Sequence, residues 1–325
     1  MISRVVLAVD GGNSKTDLAL LSEDGALLAH VRGGLSSPHH LGLDGAMALL
    51  QDLYDAALAR AGLVAPVIEA GRFLLAGLDF PAEEQELHDA ASERGWARRI
   101  AVGNDTFAVL RAGTERGWGV AVVCGAGINC VGVGPDGRHV RFPALGAISG
   151  DWGGGYDVGL AALSAAVRSE DGRGPRTGLE RAVPEHFGLA TPGELVEAIH
   201  LRRVVQRRII ELPPLVFDAA AADPVAAAIV DRLAAEVLAL VHASIERLEL
   251  GGGAVEVLLG GGMFRAGDGR LMGAIEAGVG PEVHVHVAAS EPIVGAALLG
   301  LDELGAGPEA LARARSELGE VAVHG

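Results

Sequence analysis

The chain is nearly devoid of lysine. Of its 26 basic side chains only Lys15 is a lysine, and the rest are arginine. Aromatic residues are sparse, with 3 Trp, 2 Tyr and 7 Phe among 325 residues, and there are only 2 cysteines. Acidic residues number 42, for a net charge of −16. General nucleic-acid binding needs cations that displace phosphate counterions, so this balance argues against it. Two cysteines exclude a disulfide scaffold and a zinc site of four thiolates. No apolar run approaches the ~20 residues of a membrane span, so no membrane partner is expected. The apolar run Val5–Val9 stops at Asp10, too short for a signal peptide. A cytoplasmic protein is the simplest expectation.

Glycine is in excess, at 48 residues, and hydrophobic residues make up 50 % of the chain. Such a chain is globular, and its length favours two core domains over one. Val5–Val9 reads as a strand, Asp10-Gly11-Gly12-Asn13-Ser14 as a turn, Thr16–Leu21 as a second strand, Asp24-Gly25 as a hairpin turn and Ala26–Val31 as a third strand. A helix is expected over Asp44–Ala61, a strand at Phe73–Ala76, a helix over Ala82–Arg94 started by Pro81, and a strand at Ile100–Val102. The second part repeats the opening plan: strands at Gly119–Cys124, Ile128–Val133 and His139–Phe142, with turns at Gly125-Ala126-Gly127 and Pro135-Asp136-Gly137. A glycine-rich loop, Ser149 to Gly155, leads into a helix over Tyr156–Val167. Helices broken by prolines are expected over 170–250. A strand at Ala254–Leu259 then ends in Gly260-Gly261-Gly262, before a last helix–strand–helix run. Two segments sharing a strand–turn–strand–turn–strand order predict a duplicated α/β domain pair, each with a mixed sheet, around an interdomain cleft that would be the site. The boundary is expected near 112, giving domains 1–112 and 113–325, with a helical insertion at about 170–250.

Glycines at strand ends let backbone approach a ligand and aim N–H groups at it. In the first turn, Asn13, Ser14 and Thr16 can add hydrogen bonds to phosphate oxygens, and Asp10 could hold a hydrated Mg²⁺. An ordinary hairpin is the alternative. Lys15, a compact cation in a chain that otherwise uses arginine, suggests a phosphate contact. No Walker A or dinucleotide-binding glycine motif is present. Asp105 follows a short strand, where a carboxylate can accept a proton from an alcohol or, as aspartates there commonly do, cap a helix. His39 and His40 lie in a loop. His284 and His286 share a strand face without an evident third metal ligand. Arg202, Arg203, Arg207 and Arg208 form a basic cluster that reads as a solvated face or a dimer contact.

The order of these motifs resembles the sugar kinase/heat-shock 70/actin superfamily and, within it, the BadF/BadG/BcrA/BcrD ATPase family that includes N-acetylglucosamine kinases. Asp10–Asp17 resembles the first phosphate motif, Cys124–Asn129 the second, and Leu259–Met263 the adenosine motif. Asn104-Asp105 resembles the segment with the catalytic aspartate, Gly33–Gly42 the sugar loop, and Gly150-Asp151 a second sugar-contacting segment. The resemblance implies two ribonuclease H-like (actin-like ATPase) domains, ATP and Mg²⁺, an amino-sugar substrate and a homodimer. It implies nucleotide contacts from Gly11, Gly12, Asn13, Ser14, Lys15, Thr16, Gly125, Ala126, Gly127, Asn129, Gly260, Gly261 and Gly262. It implies substrate contacts from Ser37, His39, Asn104 and Asp151, Asp105 as the catalytic base, and Mg²⁺ held through water by Asp10. Three departures stand out: Pro38 where the sugar loop usually has Asn, Trp152 where a Glu usually follows the Gly-Asp, and Ala126 where the second phosphate motif usually has Thr. The family also contains ATPases that feed electrons to acyl-CoA dehydratases from an Fe–S cluster, but Cys124 and Cys130 do not sit in their pattern. A non-catalytic sugar or nucleotide sensor on the same fold is the third possibility.

Overall fold

The computed structural model describes residues 4–64 and 66–324. Three antiparallel strands open the chain: β1 (Val5–Gly11), β2 (Thr16–Ser22) and β3 (Leu27–Gly33). Helix α1 (Pro38–Ala61) leads to β4 (Ile68–Leu75), α2 (Pro81–Arg94) to β5 (Arg99–Asn104), and α3 (Thr106–Gly113) follows. The sheet order is β3-β2-β1-β4-β5, with β4 parallel to β1 and β5 parallel to β4. This is the mixed sheet expected when strands come first and βα units follow.

β1 is buried along its whole length, and its alternation sorts side chains onto two helix layers. Val5, Leu7 and Val9 pack with Met47, Leu50 and Leu53 of α1 and with Leu87 of α2. Val6 and Ala8 pack on the other face with Ala108 and Ala112 of α3 and with residues from the end of the chain. Those last residues lie on α11 (Pro292–Glu303) and α12 (Pro308–His324). The chain from Ala288 on therefore belongs to the first compact unit, with the residues up to Ala121 and Val133–Arg138. A boundary near 112 put this tail in the second domain. The difference arises because the apolar stripe Ile293, Val294, Ala297 and Leu301 finds its cover on the first sheet.

The second unit comprises Val122–Gly132 and His139–Val287. Its sheet has the order β10-β9-β6-β7-β8, from β6 (Gly119–Cys124), β7 (Ile128–Val133), β8 (His139–Arg141), β9 (Val255–Gly260) and β10 (Val283–Val287). Between β8 and β9 run α4 (Gly154–Glu170), α5 (Leu179–His186), α6 (Pro192–His200), a 3-10 helix (Gln206–Glu211), α7 (Pro213–Ala219) and α8 (Pro224–Arg247). The short α9 (Gly262–Arg265) and α10 (Gly269–Gly278) separate the last two strands. Prolines divide this insertion as expected, since Pro192, Pro213 and Pro224 each start a helix where a missing N–H costs nothing. Asp223 caps α8 by accepting from Val225 and Ala226 N–H. Among the described residues no helix is long and apolar enough to cross a membrane.

One position shows how closely the tail is fitted. A Cβ on Gly295 of α11 would run into the Ala108 carbonyl and the Ala112 nitrogen of α3. Gly295→Ala should lower stability by about 1–3 kcal/mol, as overpacking of a fixed contact does. The check is the urea unfolding midpoint, and a midpoint equal to that of the parent protein would contradict so close a crossing.

Candidate functional site

The β1–β2 hairpin pairs Gly11 with Thr16, Asp10 with Asp17 and Val9 with Leu18. Residues 12–15 close it, with Gly12 N–H donating to Lys15 O at 2.8 Å. Gly11 must be glycine, because a Cβ there would strike Ser36 Oγ and Leu75. Asn13 and Ser14 are exposed at the tip, and Thr16 is fully buried with no partner for its hydroxyl. The register sets two carboxylates directly opposite each other, an arrangement that repels unless compensated. Asp17 is compensated. It accepts from His30 Nε2 at 2.8 Å and from Arg32 Nε at 2.8 Å. Burial pushes its carboxyl up, but those hydrogen bonds and the Lys15 charge hold it down to about 2.

Asp10 lacks such compensation. Burial pushes its carboxyl well above the ordinary value, and the negative charges of Asp105, Asp17 and Glu291 add to the rise, opposed by Lys15. A buried carboxylate among like charges fits a hydrated dication, which would satisfy its charge through hard oxygen donors. Among the described residues no three His, Cys, Asp or Glu side chains form a direct metal-binding group. Lys15, expected beside phosphate, pairs with Glu291 at 2.6 Å and lies 3.4 Å from Asp17. Glu291 stands at the N-cap position of α11 without a side-chain cap hydrogen bond, so its pair with Lys15 ties the turn to the returning tail, a link with no signal in local sequence.

Asp105 stands at the N-cap position of α3 but makes no side-chain cap hydrogen bond. Asn104 makes it instead, its Oδ1 accepting from Thr106 N–H at 3.1 Å and Thr106 Oγ at 2.7 Å. Asn104 Nδ2 donates to Leu78 O at 3.2 Å, and the residue is fully buried. Asn104, expected at the substrate, therefore works inward, and Asp105, whose commoner use would be the cap, is relieved of that task.

The expected sugar loop is partly helix. α1 begins at Pro38 rather than Asp44, with Ser37 as N-cap, and Gly42 (φ 69°) kinks it just before Asp44. Pro38 at the first helical position needs no N–H, which accounts for the early start. Ser36 and Ser37 are fully buried with no partner for either hydroxyl. A Cβ on Gly77 (φ 81°) would come within 2.8 Å of Ser37 Oγ and 3.2 Å of His39 Cγ, so this glycine keeps the space around both open. His39 Nε2 meets Glu83 Oε1 at 3.0 Å, and Glu83 also accepts from Asp79 and Phe80 N–H. Thr16, Ser36 and Ser37 thus form a set of orphaned buried hydroxyls in the first unit. Ser36 was not singled out in the sequence, where one serine before another carries no signal.

In the second unit the expected glycine turns come together. Gly155 N–H donates to Gly125 O at 2.7 Å and Tyr156 N–H to Ala126 O at 2.9 Å, which seats the β6–β7 turn on the start of α4. Gly127 lies where a Cβ on Gly154 would fall, and the Cys124 backbone where one on Gly261 would fall. Gly260 ends β9 and Gly262 begins α9. A cavity of about 440 Å³ is lined by Gly125, Ala126 and Gly262 together with Pro213, Pro214, Phe217 and the carboxylates of Asp218 and Asp268. Bare glycine backbone beside Pro213, Pro214 and Phe217 suits a flat heterocycle. This lining was missed in the sequence, where Pro213-Pro214 served only to divide helices. Asn129 Oδ1 accepts from Cys130 N–H at 2.8 Å. Asp151 is turned into its own loop, accepting from Gly146 N–H at 2.9 Å and from Ser149 Oγ.

The remaining candidates separate from these sites. Cys124 and Cys130 are buried, and burial pushes each thiol up to about 12, the reverse of what a thiolate ligand needs. His284 and His286 lie exposed on β10. Arg202 and Arg203 sit in the turn after α6, not on a helix, and Arg207 and Arg208 in the 3-10 helix. Arg203 pairs with Glu197 and Arg208 with Glu211.

The two opposed aspartates should respond to substitution with opposite signs. Asp10 has a raised folded-state value, so its favourable contribution is complete below about 3.8 and is lost as pH rises through that folded value. Asp10→Asn should therefore melt above the parent protein at neutral pH, with the gap closing as pH falls. Asp17, held at about 2, contributes stability above 3.8 that is lost as pH falls through about 2, so Asp17→Asn should melt lower at neutral pH. Thermal melts of both variants against pH decide this, and shifts of the same sign would refute the charge assignment.

The comparisons with known proteins agree with this geometry. The model of the BadF/BadG/BcrA/BcrD ATPase family matches residues 7–300. A Clostridium acetobutylicum protein named N-acetylmuramic acid/N-acetylglucosamine kinase is 30 % identical over 262 residues, covering 80 % of this chain and 86 % of that one. A Dictyostelium discoideum N-acetyl-D-glucosamine kinase is 24 % identical over 230 residues, covering 68 % of this chain and 72 % of that one. The solved structure of a candidate N-acetylglucosamine kinase from Chromobacterium violaceum superposes with a TM-score of 0.69 at 25 % identity, covering 92 % of this chain and 100 % of that one. With paired mixed sheets, glycine turns at the strand ends and a match across nearly its whole length, the chain belongs to the BadF/BadG/BcrA/BcrD ATPase family.

Proposed function

We propose that this protein is an ATP-dependent kinase that transfers the γ-phosphoryl group to a hydroxyl of an amino sugar, with the 6-hydroxyl of N-acetylglucosamine as the first candidate. The observation that carries this reading is Asp105, a carboxylate at the end of β5 whose capping task Asn104 has taken over. Its charge is felt by Asp10, so the two carboxylates share one locality. The names of the relatives from Clostridium acetobutylicum and Dictyostelium discoideum support the substrate class.

Asp105 accepts the proton of the attacking hydroxyl while the phosphoryl group moves, and most of the rate comes from alignment and charge stabilisation. Gly11, Gly12, Asn13, Ser14 and Thr16 offer N–H and hydroxyl groups to phosphate oxygens in the first unit, with Lys15 beside them. Gly125, Ala126, Gly127 and Asn129 do so in the second, where Gly260, Gly261 and Gly262 and the Phe217 wall receive the adenosine. Mg²⁺ bound to the phosphates and, through water, to Asp10 would supply charge neutralisation. Ser37 and His39 hold sugar hydroxyls, and Asn104 fixes Asp105. A homodimeric assembly and a cytoplasmic location go with this reading. The electron-transfer alternative is disfavoured by two thiols sealed in the core.

Asp105→Asn should lower sugar-dependent ADP release by about 10²–10⁴-fold, the usual contribution of a positioned base, with ATP affinity little changed. A screen of amino sugars, N-acetylated sugars and polyols for ADP release supplies the assay. Turnover close to that of the parent protein in the variant would remove Asp105 from its role.

A further inference from the structure

Lys15, the chain's one lysine, is held by two carboxylates of the first unit. Its Nζ lies 2.6 Å from Glu291 Oε2 and 3.4 Å from Asp17 Oδ2. These partners differ in how firmly they are fixed. Asp17 is buried and accepts from His30 and Arg32, so it stays where the pairing of β2 with β3 puts it. Glu291 precedes Pro292 at the N-cap position of α11, where its side chain makes no cap hydrogen bond and reaches to Lys15 instead. Both side chains of the Lys15–Glu291 pair remain partly exposed, at 39 % and 26 %. Water and salt weaken a pair of this kind, so it can exchange for a better partner. A phosphate group is such a partner for an ammonium, because it carries more charge than a carboxylate and offers oxygens in several directions. Glu291 also lies close enough for Asp10 and Arg32 to feel its charge. With Asp10, Asp17, Asp105 and Glu291 set against Lys15 and Arg32, the surroundings of the turn carry surplus negative charge, which opposes a polyphosphate.

We infer that Glu291 is an internal stand-in for phosphate: it occupies Lys15 in the nucleotide-free protein, and an incoming phosphate group displaces it. The inference rests on the kinase reading above and adds regulation of the phosphate turn to it. Displacement frees Glu291 at the start of α11, where the positive end of the helix dipole favours a carboxylate. It also breaks a side-chain tie between the hairpin and the tail, because Lys15 belongs to the β1–β2 turn and Glu291 to the helix that covers the first sheet beside α3. Nucleotide binding is thereby coupled to the hold on the tail, and a coupling of this kind acts equally in both directions. A partner that merely aimed the lysine at phosphate would act in the opposite sense, since its loss would weaken binding.

The test is calorimetric titration of the full-length protein with AMPPNP, a non-hydrolysable ATP analogue, in excess Mg²⁺. The parent is compared with Glu291→Gln, Lys15→Met and the double variant. Glu291→Gln should bind about two- to fivefold tighter, the range set by a partly exposed pair that masks the lysine for part of the time. Lys15→Met should bind more weakly than the parent. In the Lys15→Met background the gain from Glu291→Gln should shrink, because no lysine is left to release. Thermal melts supply a second readout: Glu291→Gln should melt below the parent without nucleotide, and the deficit should disappear at saturating AMPPNP. The inference is overturned if Glu291→Gln binds no tighter than the parent, if Lys15→Met binds as well as the parent, or if the gain is undiminished in the Lys15→Met background. A melting deficit that persists at saturating AMPPNP overturns it as well. Absence of AMPPNP binding by the parent and by Glu291→Gln alike would instead sink the kinase reading, so the two failures are distinguishable.

Discussion

Two carboxylates face each other beside the turn of the β1–β2 hairpin, and much of the first unit is arranged around that conflict. Asp10 and Asp17 are register partners, so the backbone pairing that forms the sheet also forces their charges together. The fold answers the two differently. Asp17 receives His30 and Arg32 from β3 and becomes a fixed anion. Asp10 faces Asp105 and Glu291 as well as Asp17, with Lys15 as its cationic neighbour. A hairpin selected for stability alone would not keep this pair. In the proposed kinase, where this hairpin would meet a cation and a polyphosphate, there is a physical reason to keep Asp10 short of positive charge.

The glycines of the second unit act by a different principle. Gly154 and Gly261 are needed because one backbone passes against another with no room for a Cβ. This close stacking packs the turn after β6, the start of α4 and the end of β9 into one surface of bare peptide groups. In the proposed kinase such a surface would contact a nucleotide through N–H and C=O groups and ask little of side-chain identity. That tolerance explains how Ala126 can stand where the family usually has threonine without disturbing the geometry around it.

Much of the architecture was legible in the residues. The short β-branched run Val5–Val9 announces a strand, and the strand–turn–strand order repeated at Gly119 announces the second sheet. Local patterns identify elements but not which surface covers which, so the stripe on α11 could not reveal that it returns to the first sheet. The same limit applied at Asn104-Asp105. Both residue types cap helices, and only side-chain direction divides the tasks, giving the cap to the asparagine and none to the aspartate. At Pro38–Gly42 the competing signals were a helix-starting proline and a kinking glycine four residues later, and the structure honours both.

The sequence by itself determined the element order, the duplicated plan and the glycine turns at strand ends, because periodicity and turn chemistry are local properties. Tertiary structure alone decided the rest, since each item of it depends on residues far apart in the chain. It paired Lys15 with Glu291 across 276 positions, left Thr16, Ser36 and Ser37 buried without partners, brought Pro213, Pro214 and Phe217 to the same cavity as Gly125, and laid Arg232 over Trp152.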